Sequence, residues 1–242
     1  MACQARDLRD LVTYYDLSAA VADRLRRWAS AGRRQAWWRD YSAALPANLD
    51  TYLDYESGAS TIRNFASTIV PPLLQTAAYA THLYRAIPPN RSEATVRQLV
   101  EARARRQEII GETGTAPELI AVLDEAALRR PFGSSDDVRA QLDHLHTMSR
   151  QRNVSLRLVP FAAGPHAGLQ GMFTILQYAE DIDRDIVAVE SHTVERLLEQ
   201  PSSVLEYLRI FDAVSRKGLD HNDSRALIGE IRDRTHSLKG MP

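Results

Sequence analysis

The stretch of this chain that most restricts its fold is an unbroken apolar run at residues 119–123, LIAVL. A run of this length with no polar position on either side of the pleat is typical of a strand covered on both faces. Such a strand needs neighbouring strands to pair its backbone, and it needs other elements to cover both sides of the sheet. The sequence therefore predicts a sheet with a buried centre inside a layered fold of helices and strands.

Segments with the periodicity of strands and helices surround this run. Further strands are predicted near 61–65, 154–158, 172–178 and 186–189. Helices are predicted near 73–84, 92–110, 134–148, 201–211 and 222–231. Ser92 is placed to cap the second of these, and either Ser134 or Ser135 to cap the third. Because strands interleave with helices and some strands follow one another directly, we expect an α+β or mixed α/β fold. Its centre would be a mixed sheet flanked by helices.

The first part of the chain has helical patterns only. Apolar residues recur at helical spacing over 8–15, and Ser18 is placed to cap a second helix over 18–28. Another helix is predicted to begin near Pro46. We expect a helical segment over residues 1–56, forming a collar on an α/β domain over residues 57–242.

The composition excludes several classes of protein. The chain has 242 residues, of which 44% are hydrophobic and 25% charged, so it can bury a full core. No run approaches the roughly 18 apolar residues of a membrane span, and the first residues lack the apolar stretch of a secretory signal. The net charge of −1 gives no long-range attraction to nucleic acid. We expect a cytoplasmic protein without a membrane partner.

Motifs of common enzyme and metal sites are missing from the sequence. It contains no glycine-rich phosphate loop, no H-E-x-x-H and no G-x-S-x-G. His144 and His146 lie two positions apart on a predicted helix, so they point to different sides and are not expected to share a metal. The single cysteine, Cys3, allows neither an internal disulfide nor a thiolate cage. We expect no cofactor and no metal, and no catalytic residue is assigned.

Several strings occur in an order that resembles one family. They are IR at 62–63, VPPLLQT at 70–76, LDEAALRRP at 123–131, VPF at 159–161, GPHAG at 164–168 and FT at 173–174. Over roughly residues 35–236 the chain resembles the C-terminal domain of unknown function of actinobacterial XRE-type helix-turn-helix regulators. Residues 1–15 resemble the last helix of the DNA-reading module, whose other helices are not in this sequence.

The resemblance implies a ligand-sensing or partner-binding domain of a transcriptional regulator, in a group often associated with development and specialised metabolism. The alternative is a regulator-derived enzyme that binds and converts, for example cyclises, a natural-product intermediate by holding it in a reactive geometry. That alternative requires an enclosed cavity of about 300 Å³ or more near His166 and Arg63. The expected partner is a small molecule or a protein, and a homodimer stays open. DNA binding is not expected without a separate helix-turn-helix.

Four positions depart from the pattern that the resemblance implies. Ala66 and Gln170 stand where the pattern has acidic residues, Ala188 stands where it has tyrosine, and Ser191 stands where it has glycine. If these positions line one pocket, the chemistry of that pocket has changed.

The candidate ligand-binding residues come from the matched strings and their surroundings. They are Arg63, His166, Gln170, Phe173, Glu190 and His192. His166 lies among glycines that allow the backbone to approach a ligand or a neighbouring strand closely. Its imidazole can bind a ligand or exchange a proton, or it can fix its own loop through a backbone hydrogen bond.

Two carboxylates, Asp124 and Glu125, directly follow the predicted buried strand. The ends of such strands often expose functional groups in α/β domains. Arg129 and Arg130 follow closely, so we expect these four residues to form a structural ion-pair network rather than a reactive site.

Overall fold

A computed structural model of the protein describes residues 5–19, 21–22, 25, 37–46, 48–88, 90–111, 116–179, 184–189 and 196–235. The chain divides into two compact units, Met1–Ser42 and Ala43–Pro242. In the smaller unit, helix α1 spans Ala5–Tyr14 and a 3-10 turn spans Trp37–Tyr41. The second helix predicted over 18–28 lies largely outside the described residues.

The larger unit is built on a six-stranded sheet. The strands are β1 (Thr61–Ala66), β2 (Glu118–Asp124), β3 (Val154–Val159), β4 (Phe173–Gln177), β5 (Ile186–Val189) and β6 (Arg196–Leu198). Their order is β3-β2-β1-β4-β5-β6, with β1, β2 and β3 parallel and the remaining pairs antiparallel. The mixed sheet is as predicted, and the apolar run at 119–123 lies in β2 between two partners. The short edge strand β6 was not predicted, because three residues carry too little alternation to identify a strand.

Helices flank the sheet, which confirms the predicted fold class. Those described in the larger unit are α2 (Leu49–Gly58), α3 (Ala77–Ala86), α4 (Glu93–Gln107), α5 (Glu125–Arg129), α6 (Ser135–Met148), α7 (Pro201–Ser215) and α8 (His221–Arg234). None of the helices in the described part of the chain is long and apolar enough to cross a membrane.

Local capping explains where these helices begin. Ser92 and Ser134 cap α4 and α6 as predicted, each accepting a hydrogen bond from a backbone N–H of the first turn. The helix predicted from residue 73 instead begins at Ala77, because Pro72–Leu74 form a separate 3-10 turn and the Thr76 side chain caps the helix. Element starts were therefore predictable to within a few residues, wherever a capping side chain identified them.

The two faces of the sheet carry different side chains. On the α7 face, aromatic and aliphatic residues of the strands pack against Val204, Phe211 and Val214. On the opposite face, Asn64 lies directly across from Thr174 in the β1–β4 pairing. This opposite face is otherwise largely aliphatic, so the Asn64–Thr174 pair is a polar spot inside a buried layer.

Candidate functional site

Asp124, the last residue of β2, anchors the loop that contains His166. Asp124 Oδ1 accepts a hydrogen bond from the Ala126 N–H at 2.7 Å and so caps α5. His166 Nε2 donates to Asp124 Oδ2 at 2.8 Å, while Nδ1 accepts from the Gly168 N–H at 3.2 Å. The His166 side chain is only 2% exposed. Both ring nitrogens are thus used within the protein, as expected of a histidine that fixes its own loop.

Glu125 ties α5 to the segment that follows β3. Its Oε1 accepts from Arg129 Nε at 2.5 Å, and its Oε2 accepts from the Phe161 N–H at 2.7 Å. The predicted ion-pair network is therefore correct for Glu125 and Arg129. It is wrong for Asp124, which pairs with His166 because the loop at 161–171 folds back over the end of β2.

Gly168 lets this loop pack directly on the sheet. A Cβ atom at Gly168 would lie 2.3 Å from Phe65 Cε1, far inside van der Waals contact. Phe65 is completely buried, and its ring meets the His166 ring edge-on with centroids 5.7 Å apart. The glycines around His166 were expected to allow the backbone to approach either a ligand or a neighbouring strand. At Gly168 the structure shows the approach to a strand.

Gly168→Ala should therefore lower the free energy of unfolding by about 1–3 kcal/mol, because the Phe65 ring has no free space to move into. Urea denaturation followed by circular dichroism measures this change. Gly229→Ala is the matched control: no atom lies within 4 Å of the added methyl group, and the residue is inside α8. There the same substitution should stabilise the protein by about 0.5–1 kcal/mol. Equal effects at the two positions would contradict the close-packing argument.

Arg63 and Phe173 lie on the α7 face with His166 nearby. Arg63 Nε donates to Gln177 Oε1 at 2.6 Å, and the guanidinium carbon lies 5.7 Å from the centroid of the Phe211 ring. Phe173 is buried, with its ring centroid 5.8 Å from that of Phe65. These three candidates belong to one packed cluster of rings rather than to an open pocket.

Of the other predicted site residues, Gln170 is the one in the described part of the chain. Gln170 is exposed at the end of the 3-10 turn Ala167–Gln170. Glu190 and His192 lie outside the described residues, so their role as ligand-binding residues stays a prediction. Among the described residues, no three His, Cys, Asp or Glu side chains are grouped to hold a metal ion.

Two of the four positions that depart from the implied pattern share a face of the sheet. Ala66 follows Asn64 by two residues on β1, and Ala188 pairs with Thr174 across β4 and β5. Because side chains alternate along a strand, all four residues point to the face opposite α7. Gln170 is elsewhere on the surface, and Ser191 is outside the described residues. Of the three positions that the structure describes, Ala66 and Ala188 therefore lie beside a common feature, which is the Asn64–Thr174 pair.

A small cleft with a water-accessible volume of about 10 Å³, room for about one water molecule, opens at this pair. Asn64 and Ala66 of β1 and Thr174 of β4 line it together with the segments 69–72 and 172–173. Asn64 is 9% exposed, and its Nδ2 donates to Thr174 Oγ1 at 2.7 Å. Its Oδ1 is buried and has no hydrogen-bond partner. Asn64 was not among the predicted site residues, although a carboxamide inside the apolar strand pattern was the available signal.

A second small cleft, with a water-accessible volume of about 10 Å³, is also lined by Val70. Tyr79 and Phe132 line it, with ring centroids 4.4 Å apart, and so does the exposed Arg130. The Tyr79 hydroxyl accepts from the Val70 N–H at 3.1 Å, and burial raises the pKa of Tyr79 to about 12. Tyr79 is therefore neutral near pH 7 and holds Val70 in place, rather than serving as a base.

Neither cleft has the properties that the enzyme hypothesis required. Each has room for about one water molecule, far below the about 300 Å³ at which typical small-molecule pockets begin. Neither is lined by His166 or Arg63, the residues around which a reaction chamber was expected. Four buried side-chain atoms of the described residues have no hydrogen-bond partner: Asn64 Oδ1, His144 Nε2, Gln151 Oε1 and Ser215 Oγ. Of these four residues, Asn64 is the one that lines either cleft.

Residues 49–230, which hold all six strands and both clefts, match the sequence pattern of a family described as a domain of unknown function, DUF5753. The chain belongs to this family. The predicted resemblance is thereby confirmed at the level of the domain. No curated protein and no solved structure gives a significant match to the chain.

Proposed function

We propose that the DUF5753 domain of this chain is the ligand-sensing domain of an XRE-type transcriptional regulator, and that the molecule it senses binds beside Asn64. The resemblance of the strings at 62–76, 123–131 and 159–174 to such regulators supports the regulatory part of the proposal. The binding part rests on one observation, the unpartnered Oδ1 of Asn64 at an apolar cleft. A regulator of this kind acts on the chromosome, which places the chain in the cytoplasm.

The unpartnered oxygen is costly unless something binds to it. A buried acceptor without a donor destabilises a fold by about 1–3 kcal/mol, whereas an aliphatic side chain of similar size would carry no such cost. Native proteins leave few buried polar groups unsatisfied, and those that remain are often found at functional sites. A ligand that donates a hydrogen bond would recover this cost on binding, and so Asn64 favours a liganded state.

The lining of the cleft supports binding rather than conversion. Among the described residues that line it, none titrates near neutral pH, and Asn64 and Thr174 are the two with polar side chains. General acid–base catalysis requires a side chain that gains or loses a proton. The cleft is therefore suited to hold a molecule without changing it, as a sensor does.

Asn64→Leu should abolish small-molecule binding while preserving the fold. We expect small hydrogen-bond-donating molecules from a fragment library to raise the melting temperature of the wild-type protein. At a concentration tenfold above its Kd, a fragment adds about 1.4 kcal/mol of stability, or about 3–6 °C in a domain of this size. Differential scanning fluorimetry of wild type and Asn64→Leu, with the same fragments, measures the difference.

Asn222→Leu provides the matched control, because Asn222 is exposed in the first turn of α8. This variant should respond to the fragments like the wild type. Without fragments, Asn64→Leu should melt within about 2 °C of the wild type, since it loses one hydrogen bond but also removes an unsatisfied oxygen. If the fragments raise the melting temperatures of wild type and Asn64→Leu by the same amount, the binding site lies elsewhere and the proposal is contradicted.

A further inference from the structure

We propose that a small oxyanion of the phosphate class, with two or more negative charges, binds to the guanidinium groups of Arg91 and Arg103 beside the ring of Tyr84. Tyr84 lies near the end of α3, Arg91 directly precedes the residue that caps α4, and Arg103 lies inside α4. None of these three residues lines either cleft. The site is therefore separate from Asn64 and does not depend on the proposed function.

Two cations share one aromatic ring at this site. The guanidinium carbons of Arg103 and Arg91 lie 4.9 Å and 5.4 Å from the centroid of the Tyr84 ring, so they are at most about 10 Å apart. The ring attracts each cation but carries no net charge. Burial lowers the pKa of Arg91 most, Tyr84 opposes this effect, and the charge of Arg103 lowers the pKa further. The two positive charges therefore repel each other without being neutralised.

No carboxylate in the described part of the chain forms an ion pair with either arginine. Glu93, the acidic residue closest in sequence to Arg91, binds Arg85 through two hydrogen bonds. Glu101 lies two positions before Arg103, a spacing at which helical side chains do not face each other. A partly buried cation without a counter-ion is costly, and a bound anion offsets that cost.

Neutral acceptors hold both guanidinium groups in position. Arg103 donates from Nη1 to Gln75 Oε1 and from Nη2 to the Tyr84 hydroxyl. Arg91 donates from Nη1 to the Ile87 carbonyl at 2.6 Å. Gln75 is 1% exposed, so one of these acceptors is itself fixed by packing. Each guanidinium group has five N–H donors, and those that remain are already positioned to bind an anion, which reduces the ordering cost.

The spacing and charge of the two groups set the class of anion. An oxyanion that accepts charge-assisted hydrogen bonds of about 2.8 Å has its phosphorus about 4 Å from each guanidinium carbon. One phosphate therefore spans cations up to about 8 Å apart, and a diphosphate spans the full range that the ring allows. A dianion neutralises both cations, whereas a monoanion neutralises only one. Both arginines are half-buried, so an ion can reach them from solvent without an enclosed cavity.

Titration with inorganic phosphate, diphosphate and glycerol 3-phosphate tests the site, with chloride at matched ionic strength as the reference. We expect diphosphate to bind with a Kd of about 1 mM or below, as two charge-assisted contacts allow. At a concentration tenfold above its Kd, it should raise the melting temperature by about 3–6 °C relative to chloride. Glycerol 3-phosphate that binds as tightly as inorganic phosphate would identify a phosphate ester as the ligand. Weaker binding of glycerol 3-phosphate would identify free phosphate or diphosphate.

Arg91→Gln should weaken diphosphate binding by at least about tenfold, because it removes one of the two cations. Arg97→Gln is the matched control, since Arg97 is exposed on the same helix and is not one of the two arginines at the Tyr84 ring. This variant loses the same charge and should bind diphosphate like the wild type. If both variants weaken binding equally, or if chloride stabilises the protein as much as diphosphate does, only the general surface charge is involved and the proposal is wrong.

The side-chain Nε–H signals of Arg91 and Arg103 in ¹H–¹⁵N correlation spectra give a readout that does not depend on stability. Their loss in Arg91→Gln and in Arg103→Lys identifies them, and Arg103→Lys keeps the charge so that the fold is preserved. Both signals should shift with diphosphate, whereas the Arg97 signal should not. If neither signal shifts at about ten times the expected Kd, the site does not exist.

Asn64→Leu separates this site from the proposed function. This variant should bind diphosphate like the wild type, because Asn64 makes no contact with either arginine. Diphosphate binding without fragment binding would contradict the proposed function alone. Fragment binding without diphosphate binding would contradict the anion site alone.

Discussion

Glu56→Ala should lower the free energy of unfolding by about 3–5 kcal/mol, because it breaks a buried ion pair between α2 and α4. Arg106 donates from Nε and Nη2 to the two carboxylate oxygens of Glu56, both at 2.7 Å. The side chains of Glu56 and Arg106 are 2% and 10% exposed. Tyr52 adds a hydrogen bond to Glu56 at 2.9 Å and places its ring 4.9 Å from the Arg106 guanidinium carbon. Alanine would leave the buried guanidinium without this carboxylate.

The expected change in melting temperature is a loss of about 10 °C, measured by differential scanning calorimetry. Glu93→Ala is the matched control, because Arg85 binds Glu93 through the same two-pronged contact on the surface, where the side chains are 50% and 60% exposed. That variant should melt close to the wild type. The double variant Glu56→Leu with Arg106→Met should recover most of the loss, since it removes both charges together. A Glu56→Ala protein as stable as Glu93→Ala would contradict the importance assigned to the pair.

His166→Ala should also destabilise the protein, by about 3 kcal/mol, because it leaves the Oδ2 atom of the buried Asp124 carboxylate without its donor. Asp124 is 9% exposed, and His166 is its hydrogen-bond partner at 2.8 Å. The same substitution removes the ring that packs edge-on against Phe65 and the acceptor for the Gly168 N–H. Thermal and urea unfolding measure the loss.

Two comparisons separate loop fixing from ligand binding at His166. Asp124→Asn combined with His166→Ala should regain part of the lost stability, because asparagine still caps α5 but carries no charge. Fragment binding beside Asn64 should persist in folded His166→Ala, since Asn64 and the His166 contacts lie on opposite faces of the sheet. An unchanged melting temperature together with lost fragment binding would instead identify His166 as a ligand-binding residue.

Much of the fold was predictable because its signals are local. The apolar run at 119–123 predicted a strand with neighbours on both sides, and β2 has them. Ser92 and Ser134 predicted helix starts, since a cap acts within one turn of its helix. The short elements were not predictable, as β6 and α5 show: three and five residues provide too little periodicity.

The candidate site was less predictable, because its contacts join residues far apart in sequence. Asp124 was expected to pair with an arginine five or six positions away, whereas its partner is His166, 42 positions away. Asn64 was overlooked because its significance depends on Thr174, 110 positions away, and on the missing donor at Oδ1. Arg63 and Phe173 were expected near a ligand, and both lie in the packed cluster around Phe65 and Phe211.

By itself, the sequence determined the type and order of most elements, the buried centre of the sheet and the family of the domain. Hydrophobic periodicity and capping act over a few residues, so they can be recognised within a single segment of the sequence. Only the tertiary structure decided which polar groups meet and which stay unpaired. Strand order and register set those neighbours, and they placed Asn64 opposite Thr174 with its side-chain oxygen unpaired. Register depends on the packing of the whole sheet, which no single segment of the chain encodes.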